Sequence, residues 1–281
     1  MKSLITKTLI QLALEEDIAS GDITTKALVP LNAYGKATIV ARQPLVIAGL
    51  ELVDMVYQSL CPNIKMSSNC QDGENIKKDQ NVCDIEGPLN VLLEGERTAL
   101  NFLQRMSGIA TQTREYIKAL ANKNTIIVDT RKTLPGWRRL EKKAVRIGGA
   151  VNHRMGLYDG VLIKDNHILV SGGIGPAIAN VRKHVSHLTK IEIEVENFEQ
   201  LEQALEASAD IIMLDNMSID DIRQSVHKIN GRALVEASGG ITLEHIQDIA
   251  DTGVDIISIG ALTHSARAVD LSMKIVPERT T

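Results

Sequence analysis

The second half of the chain alternates short apolar runs with helical stretches from residue 125 onward. The six apolar runs are TIIVDT, GVLIKDN, IEIEVEN, DIIMLDN, ALVEASGG and VDIISIGAL. The segments between them carry apolar residues at helical spacing. Strands that are apolar throughout and joined by helices predict a parallel sheet with helices outside it, and the even spacing favours an α/β barrel. A doubly wound open sheet is the alternative.

The first half has a different pattern. Its first segment, MKSLITKTLIQLALEED, is typical of an amphipathic surface helix, and GDITTKALVP is rich in turn signals. Short β-like runs with turns follow between residues 34 and 95. From Glu94 to about Asn122 the apolar spacing becomes helical again. These patterns predict a small α+β domain followed by a long helix.

Composition narrows the class of protein. A chain of 281 residues with 44% hydrophobic residues is long enough for two domains at roughly 150 residues each. The formal charge of −4 leaves no overall basic excess for nucleic acid or an anionic membrane. Three cysteines lack CxxC or metal-ligand spacing, which indicates reduced thiols and a cytoplasmic location. The N-terminus does not resemble a signal peptide, and no apolar run approaches the ~18 residues of a membrane span.

Each predicted strand ends in polar or small residues. These are Asp129, Arg131 and Lys132; Lys164, Asp165 and Asn166; Glu194; Asp215 and Asn216; Glu236 and Ser238; and Gly260. A single charge after a strand is usually a solvated strand end. In α/β barrels, however, the catalytic residues lie at the carboxyl ends of the strands. Six such ends on one rim therefore predict an active site there.

A basic cluster covers the first two of these strand ends. Between Arg131 and Asp165 the sequence contains nine Lys or Arg residues and only three acidic residues. Five of the basic residues fall on a predicted helix and are expected to be mostly solvated: Arg138, Arg139, Lys142, Lys143 and Arg146. The candidates at strand ends and loops are instead Arg131, Lys132, His153, Arg154 and Lys164. Arginine suits planar carboxylates and lysine suits phosphate, so the cluster predicts a ligand with both groups.

Other strand ends complete the candidate site. The small residues Ser238 to Gly240 and the run ISIGAL follow the last two strands, where many barrels bind phosphate through backbone N–H groups. Glu194 and Asp215 follow neighbouring strands and would suit ribose hydroxyls or a hydrated Mg²⁺. The chain contains no GxxxxGK[ST], HExxH or GxSxG motif, so P-loop, zinc-protease and α/β-hydrolase chemistry lack support.

Eight segments of the chain resemble the quinolinate phosphoribosyltransferase family, also called nicotinate-nucleotide pyrophosphorylases (carboxylating). They are GDITT, GERTALNFLQRMSGIAT, DTRKTLPGWRRLEKKAVRIGGAVNHR, DGVLIKDNHI, EIEVEN, LDNMS, VEASGGI and SIGALTHSA. The segments run from residue 21 to residue 266, so the resemblance covers nearly the whole chain. The TRKT, HR and KDNH elements together are highly specific, and no motif element is missing.

The resemblance implies a fold, an assembly and a cofactor. It implies an N-terminal α/β sandwich and an open, seven-stranded α/β barrel, one strand more than the six found by pattern. We expect the N-terminal domain over residues 1–110 and the barrel over 111–266, with residues 267–281 packing back on the N-terminal domain. The resemblance also implies a homodimer or hexamer whose active sites are shared between subunits, and Mg²⁺ as the cofactor.

The implied reaction joins quinolinate to phosphoribosyl pyrophosphate, releasing pyrophosphate and CO₂ and leaving nicotinate mononucleotide for NAD synthesis. By motif, the resemblance assigns quinolinate binding to Arg131, His153, Arg154, Lys164 and, from the neighbouring subunit, Arg97. It assigns catalysis to Lys132, Lys164, Glu194 and Asp215. It assigns phosphoribosyl pyrophosphate binding to Lys132, Glu194, Asp215, Ser238, Gly239 and Gly260. Glu194 and Asp215 are also the implied metal ligands, directly or through water.

Three rival functions remain open at this point. The first is a paralogue of the same fold that is found with molybdenum-transport functions, and activity with quinolinate separates the two. The second is an aldolase-like barrel in which Lys164 forms a Schiff base, which borohydride trapping would detect. The third is a non-catalytic phosphoribosyl sensor, which any turnover would exclude.

Overall fold

A computed structural model of the protein describes residues 4–120 and 124–278. The helices are α1 (Leu4–Ile18), α2 (Ile23–Leu28), α3 (Leu50–Leu60), α4 (Leu89–Ala119), α5 (Arg138–Gly148), α6 (Asp165–Ser171), α7 (Ile174–His184), α8 (Phe198–Glu206), α9 (Ile219–Ile229), α10 (Ile246–Ala250) and α11 (Ala261–His264). The strands are β1 (Tyr34–Ala41), β2 (Leu45–Val46), β3 (Lys65–Ser68), β4 (Asn75–Ile76), β5 (Asn81–Pro88), β6 (Ile126–Val128), β7 (Val161–Ile163), β8 (Ile191–Val195), β9 (Ile211–Asp215), β10 (Leu234–Ser238), β11 (Ile256–Ser258) and β12 (Leu271–Pro277).

The chain divides into two compact units. The first comprises Met1–Arg114, Leu134–Gly149 and Ser265–Thr281, and the second comprises Glu115–Thr133 and Ala150–His264. The domain limits expected from the sequence, 1–110 and 111–266, stay predictions. Three short segments lie outside the described residues: 1–3, 121–123 and 279–281. They belong to the expected first helix, the expected long helix and the expected C-terminal segment, respectively.

The first unit is built on an antiparallel sheet in the order β12-β1-β5-β3. The C-terminal strand β12 pairs with β1 over seven residue pairs, from Gly35 opposite Pro277 to Ala41 opposite Leu271. The outward residues of β1 alternate with buried ones such as Ala37 and Ile39, so one face of the sheet contributes to a core. This arrangement confirms an N-terminal α/β region with a sheet.

Two helices of the first unit differ from the sequence expectation. The turn-rich reading of GDITTKALVP is wrong at its centre, where α2 forms because the Asp22 carboxylate accepts hydrogen bonds from the backbone N–H groups of Thr24 and Thr25. The region 34–95 also contains the helix α3. Its start is fixed by Asp72, whose carboxylate accepts from the backbone N–H groups of Gly49 and Leu50.

The long helix α4 packs against α5 within the first unit, and it begins at Leu89, five residues before the expected start at Glu94. The rings of Phe102 and Trp137 stack with centroids 4.7 Å apart. The fully buried carboxylate of Glu141 lies 2.6 Å from the guanidinium of Arg105. Lys142 is also fully buried, so the expectation that all five basic residues of this helix are mostly solvated is wrong for Lys142.

The close contact of these two helices predicts a stability effect at Gly148. A Cβ on this residue would lie 2.4 Å from the Cβ of Thr113 and 2.8 Å from the carbonyl oxygen of Ala110. Gly148→Ala is therefore expected to lower the free energy of unfolding by about 1–3 kcal/mol. Gly175→Ala in α7 is the control, because nothing lies within 4 Å of its added methyl group. Urea unfolding of both variants checks this, and equal stabilities would contradict the close packing.

The second unit contains a parallel sheet of six strands in the order β6-β11-β10-β9-β8-β7. All six strands predicted from the apolar runs are confirmed. The first strand, β6, pairs with the last, β11, and every other neighbour is consecutive along the chain. A doubly wound sheet reverses its strand order at a switch point, so that alternative is wrong. The order is that of a barrel which, among the described residues, is open between β6 and β7.

The seventh barrel strand implied by the resemblance is not confirmed. On the free edge of β6, Val151 forms a single parallel bridge with Val128. This bridge occupies the gap where a further strand would pair. Within the parts of the chain that the structure describes, no helix combines the length and apolar character needed to cross a membrane.

Candidate active site

A cavity of about 460 Å³ opens at the carboxyl ends of the strands of the second unit. Nine of the residues predicted from the sequence line it: Arg131, Lys132, His153, Arg154, Lys164, Glu194, Asp215, Ser238 and Gly239. Gly260 lies beside this group, because a Cβ on it would come within 3.1 Å of the Cδ atom of Lys132. Arg97 belongs to the first unit, where its side chain is exposed on α4.

The guanidinium of Arg131 carries an unused donor. Its Nε atom is buried, and none of the described residues supplies a hydrogen-bond acceptor for it. A buried N–H group without an acceptor costs about 1–3 kcal/mol, so such a group usually has a ligand as its partner. The cavity therefore presents Arg131 as a donor to an anionic ligand.

Arg154 lies close to Arg131 and is constrained by its own contacts. Its Nη1 atom donates to the carbonyl oxygen of Gly160 at 3.1 Å. Burial first, and then the positive charge of Arg131, lower the pKa of Arg154 below its usual range. Two guanidinium groups that repel each other in a partly buried cavity favour an anion between them.

The end of β6 positions the segment that carries His153 and Arg154. The carboxylate of Asp129 is fully buried and accepts from the side chain of Asn152 at 2.6 Å and from the backbone N–H of His153 at 3.0 Å. Both ring nitrogens of His153 have partners. Its Nδ1 atom accepts from the backbone N–H of Arg154 at 2.7 Å, and its Nε2 atom lies 3.1 Å from the Glu192 carboxylate.

The opposite wall combines a lysine with two carboxylates. The Nζ atom of Lys164 lies 2.5 Å from the carboxylate of Glu194. Asp215, on the neighbouring strand, accepts from the side-chain amide of Asn216 at 2.7 Å. These contacts hold both acidic side chains at the rim and leave each with a second oxygen atom for a hydroxyl group, water or a cation.

The turn after β10 requires glycine. Gly239 has a φ of 97°, and a Cβ there would lie 2.2 Å from the side-chain oxygen of Asn216. The backbone N–H of Asn216 in turn donates to the carbonyl oxygen of Ser238 at 2.9 Å. The absence of a side chain at Gly239 brings the backbone of this turn to the cavity, as a phosphate-binding turn requires.

Sequence reasoning missed one part of the site, a buried layer beneath the cavity. Glu192 is 4% exposed and Glu236 is 1% exposed, and both approach the Nε2 atom of His153. The signal for Glu192 was present in the alternation IEIEV, because a period of two places it on the same face of β8 as Glu194. Glu236 stands among the strand-end residues, but without an expected role.

Two family descriptions match consecutive parts of the chain. The first, "Quinolinate phosphoribosyl transferase, N-terminal domain", matches residues 22–107. The second, "Quinolinate phosphoribosyl transferase, C-terminal domain", matches residues 109–274, which include every residue of the cavity. The chain belongs to the quinolinate phosphoribosyltransferase family. The family resemblance seen in the sequence motifs is thereby confirmed.

Individual members of the quinolinate phosphoribosyltransferase family agree over the full length. A "Probable nicotinate-nucleotide pyrophosphorylase [carboxylating]" from Bacillus subtilis is 42% identical over 98% of this chain and 95% of its own length. A "Quinolinate phosphoribosyltransferase [decarboxylating] 2, mitochondrial" from Nicotiana glauca is 40% identical, over 97% and 82% respectively. The crystal structure of NadC from Streptococcus pyogenes superposes with a TM-score of 0.94 at 37% identity, covering 99% of both chains.

Proposed function

We propose that the protein transfers the phosphoribosyl group of phosphoribosyl pyrophosphate to quinolinate and removes one carboxyl group as CO₂, giving nicotinate mononucleotide and pyrophosphate for NAD synthesis. The observation that carries this proposal is the buried Nε atom of Arg131, which has no acceptor among the described residues and lies beside Arg154 in a cavity lined also by two lysines and three acidic residues. Membership of the quinolinate phosphoribosyltransferase family supports the same reaction.

Quinolinate carries two carboxylates on adjacent ring carbons. Arg131 and Arg154 would each bind one of them, since a guanidinium forms paired N–H bonds with a planar carboxylate. Lys164 and His153 complete the proposed quinolinate site within this subunit. Arg97 would come from the neighbouring subunit of a homodimer, as the family resemblance implies.

The phosphoribosyl pyrophosphate would occupy the rest of the cavity. Its 5-phosphate would bind at Ser238, Gly239 and Gly260, where glycine leaves backbone groups accessible. Lys132 would meet the pyrophosphate group, and the hydroxyl groups of the ribose would lie near Glu194 and Asp215.

The carboxylates of Glu194 and Asp215 also suit Mg²⁺, which prefers oxygen ligands and retains several waters. Each has one oxygen engaged, by Lys164 or by Asn216, so the second oxygen of each would hold the ion directly or through water. When bound, Mg²⁺ would supply positive charge to the pyrophosphate leaving group.

The residues of the cavity can then perform the reaction by position and charge. As the pyrophosphate departs, positive charge develops on the ribose ring, and Glu194 and Asp215 stabilise it. The ring nitrogen of quinolinate, held in place by the arginines, attacks the ribose carbon; such orientation of two bound reactants can lower a barrier by about 7–11 kcal/mol. The carboxylate next to the alkylated nitrogen then leaves as CO₂; the electron pair of the broken C–C bond stays on the ring carbon, where the cationic nitrogen stabilises it, and a proton from water forms the new C–H bond, so no organic cofactor is needed.

An aldolase-like reaction is less well supported. A Schiff-base lysine attacks as a neutral amine. The ammonium group of Lys164 forms an ion pair with Glu194 instead. This contact favours a role in binding anions over a role as a nucleophile.

We further propose that the protein is a cytoplasmic homodimer or a hexamer built from dimers, with no nucleic-acid or membrane partner. Cys61, Cys70 and Cys83 are all free thiols, which supports a reducing compartment. Size-exclusion chromatography with light scattering would establish the assembly.

The proposed function is tested by pyrophosphate release. With Mg²⁺ and phosphoribosyl pyrophosphate, the protein is expected to release pyrophosphate and form nicotinate mononucleotide when quinolinate is added. Nicotinate has one carboxylate, so it leaves a buried cation unpaired at about 2–5 kcal/mol, and we expect kcat/KM at least about 30-fold lower. Reactions without phosphoribosyl pyrophosphate are the control. Equal turnover of the two pyridines would contradict the two-carboxylate site.

The proposed role of Glu194 and Asp215 predicts that their loss lowers kcat far more than it lowers the affinity for quinolinate. Glu194→Gln and Asp215→Asn are each expected to lower kcat by about a hundredfold, because their charge acts when the ribose ring becomes cationic. Quinolinate affinity should change much less. Steady-state kinetics and calorimetry separate the two effects, and an unchanged kcat with lost quinolinate binding would show that the roles are wrongly assigned.

A further inference from the structure

A cluster of three side chains lies at the floor of the substrate cavity, and only one of them, His153, has a role in the proposed function above. His153 follows β6, Glu192 lies on β8 and Glu236 on β10. The Nε2 atom of His153 is 3.1 Å from one carboxylate oxygen of Glu192 and 3.7 Å from one of Glu236. The other oxygen of each glutamate is buried, and no described residue donates a hydrogen bond to it. Two buried acids therefore face one ring nitrogen.

The hydrogen bonds of His153 assign its proton. Its Nδ1 atom accepts from the backbone N–H of Arg154 at 2.7 Å, so Nδ1 carries no hydrogen. The single proton of the neutral ring must then lie on Nε2, where it is donated to the carboxylate of Glu192. One N–H group thus serves two carboxyl groups.

The Nε2–H group of His153 donates to Glu192, so the carboxyl group of Glu236 must be stabilised in another way. The two carboxyl oxygens and the ring nitrogen all lie within 4.8 Å of one another, and both acids are buried. Two like charges this close in a buried site cannot both be stable, so one acid is neutral. Burial first, and then the negative charge of Glu192, raise the pKa of Glu236 to about 8, while His153 and the Ser258 hydroxyl oppose this shift. The proton belongs to Glu236.

A metal ion is the other way to neutralise such a cluster. A ligating histidine needs a lone pair on the nitrogen that faces the metal, and it usually donates a hydrogen bond through its other nitrogen. In His153 the arrangement is reversed, because Nδ1 accepts a hydrogen bond and Nε2 carries the proton. The cluster therefore favours a proton over a cation.

We propose that Glu192 and Glu236 are positioning residues that hold His153 in its Nε2–H form beneath the quinolinate site, with Glu236 as a neutral acid at neutral pH. This inference rests on the proposed function, because quinolinate is the anion whose binding it affects. When Glu236 loses its proton, a second negative charge appears in the floor of the cavity. Binding of a substrate with two carboxylates is then weakened.

The charged groups around Glu236 come from each neighbouring element. In the sheet, Glu236 pairs with Met213 of β9 and with Ile256 of β11, neither of which is charged. The groups that can act on it from the substrate cavity are Glu194 of β8, Asp215 at the end of β9, the Ser258 hydroxyl of β11, and Arg131, Lys132, Arg154 and Lys164. Asp159 and Lys190 line the cavity at the amino ends of the strands, and Glu192 and His153 are the partners of Glu236 in the cluster. Of these, Glu192 and His153 lie in the same buried layer.

A second cavity gives Glu236 a route for proton exchange. This cavity, of about 520 Å³, is lined by Glu192 and Glu236 together with residues at the amino ends of strands, such as Val161, Ile211 and Ile256. It lies on the side of the cluster away from the substrate. A proton can therefore reach or leave Glu236 while quinolinate is bound.

The test is the pH dependence of KM for quinolinate between pH 6.5 and 9.5. In the wild-type protein KM is expected to be level at low pH and to rise above pH 8, by up to about tenfold per pH unit, as Glu236 ionises. Glu236→Gln cannot ionise, so its KM should stay within about twofold across the range, whatever its turnover. Glu192→Gln removes the like charge, so the rise should begin at lower pH.

Asp210→Asn is the matched control. Asp210 accepts from the backbone N–H of Ile191, the residue before Glu192, and its side chain is not part of the cluster, so its loss disturbs the same end of β8 without removing a cluster side chain. This variant should keep the wild-type profile of KM against pH. A change in Asp210→Asn as large as that in Glu236→Gln would indicate a general loss of stability and would overturn the proposal.

A measurement on the wild-type protein covers the case in which Glu236→Gln does not fold. Calorimetry of quinolinate binding in two buffers of different ionisation enthalpy reports proton uptake, expected to be about half a proton per site at pH 8 and close to zero at pH 6.5. No uptake at pH 8, or a persistent rise of KM in Glu236→Gln, would overturn the inference alone. A wild-type protein that turns over no quinolinate at any pH would contradict the proposed function, and the inference with it.

Discussion

Arg131→Lys is expected to lower kcat/KM for quinolinate by about a hundredfold or more, although the positive charge is kept. The Nε atom of Arg131 is buried and has no acceptor among the described residues. A lysine ammonium cannot form the planar pair of bonds that a guanidinium forms with a carboxylate, and it cannot reach the position of the lost Nε. A broken contact to a buried charge costs about 2–5 kcal/mol, or about 30-fold to a few thousandfold in kcat/KM, and the expected loss lies within this range.

The effect of Arg131→Lys is measured by steady-state kinetics with quinolinate as the varied substrate. Arg146→Lys is the control, because Arg146 is exposed in the last turn of α5 and should tolerate the same change. Circular dichroism confirms that both variants are folded. Wild-type kinetics in Arg131→Lys would remove this residue from the quinolinate site.

Loss of activity followed by its partial recovery is expected for a pair of variants that test the shared active site. Arg97→Ala and Arg154→Ala should each be nearly inactive when assayed alone. Arg154 lines the cavity of the second unit, whereas Arg97 is exposed on α4 of the first unit. If Arg97 serves the neighbouring subunit, a mixed dimer contains one site with both arginines and one site with neither.

The two variants are unfolded, mixed in equal amounts and refolded, so that about half of the dimers are mixed. One intact site in half of the dimers restores about a quarter of wild-type activity. If Arg97 instead acts within its own chain, every site lacks one arginine and no activity returns. Native mass spectrometry establishes that mixed dimers have formed, and an inactive mixture that contains them would exclude a site shared through Arg97.

The barrel was predictable because its strands are encoded locally. Each strand from β6 to β11 is a short, mainly apolar run that ends in a polar residue or is followed directly by one. The regular spacing of these runs also favoured a barrel over an open sheet, which agrees with the observed strand order. The first unit was harder to predict because α3 lies among β-like runs and begins only where Asp72, more than twenty residues later, caps it. A local pattern does not contain a contact of that kind.

The candidate site was likewise predictable from the sequence only in part. Residues at strand ends could be chosen from the sequence because parallel strands bring their carboxyl ends to one rim. The buried role of Glu236 depends on its distance from Glu192 and His153, which belong to other elements. The helical pattern likewise predicts Lys142 as one of several surface residues, and only the folded structure shows that it is buried.

The pairing of β12 with β1 has a consequence for synthesis of the protein. The sheet of the first unit joins residues near the two ends of the chain, and the whole second unit is inserted between them. During translation, β1 leaves the ribosome long before β12 exists, so this edge of the sheet stays unpaired until β12 has been synthesised. Contacts of such high sequence separation slow folding. The N-terminal unit, although made first, can be completed only last, and it would benefit from chaperones that cover unpaired strands on the nascent chain.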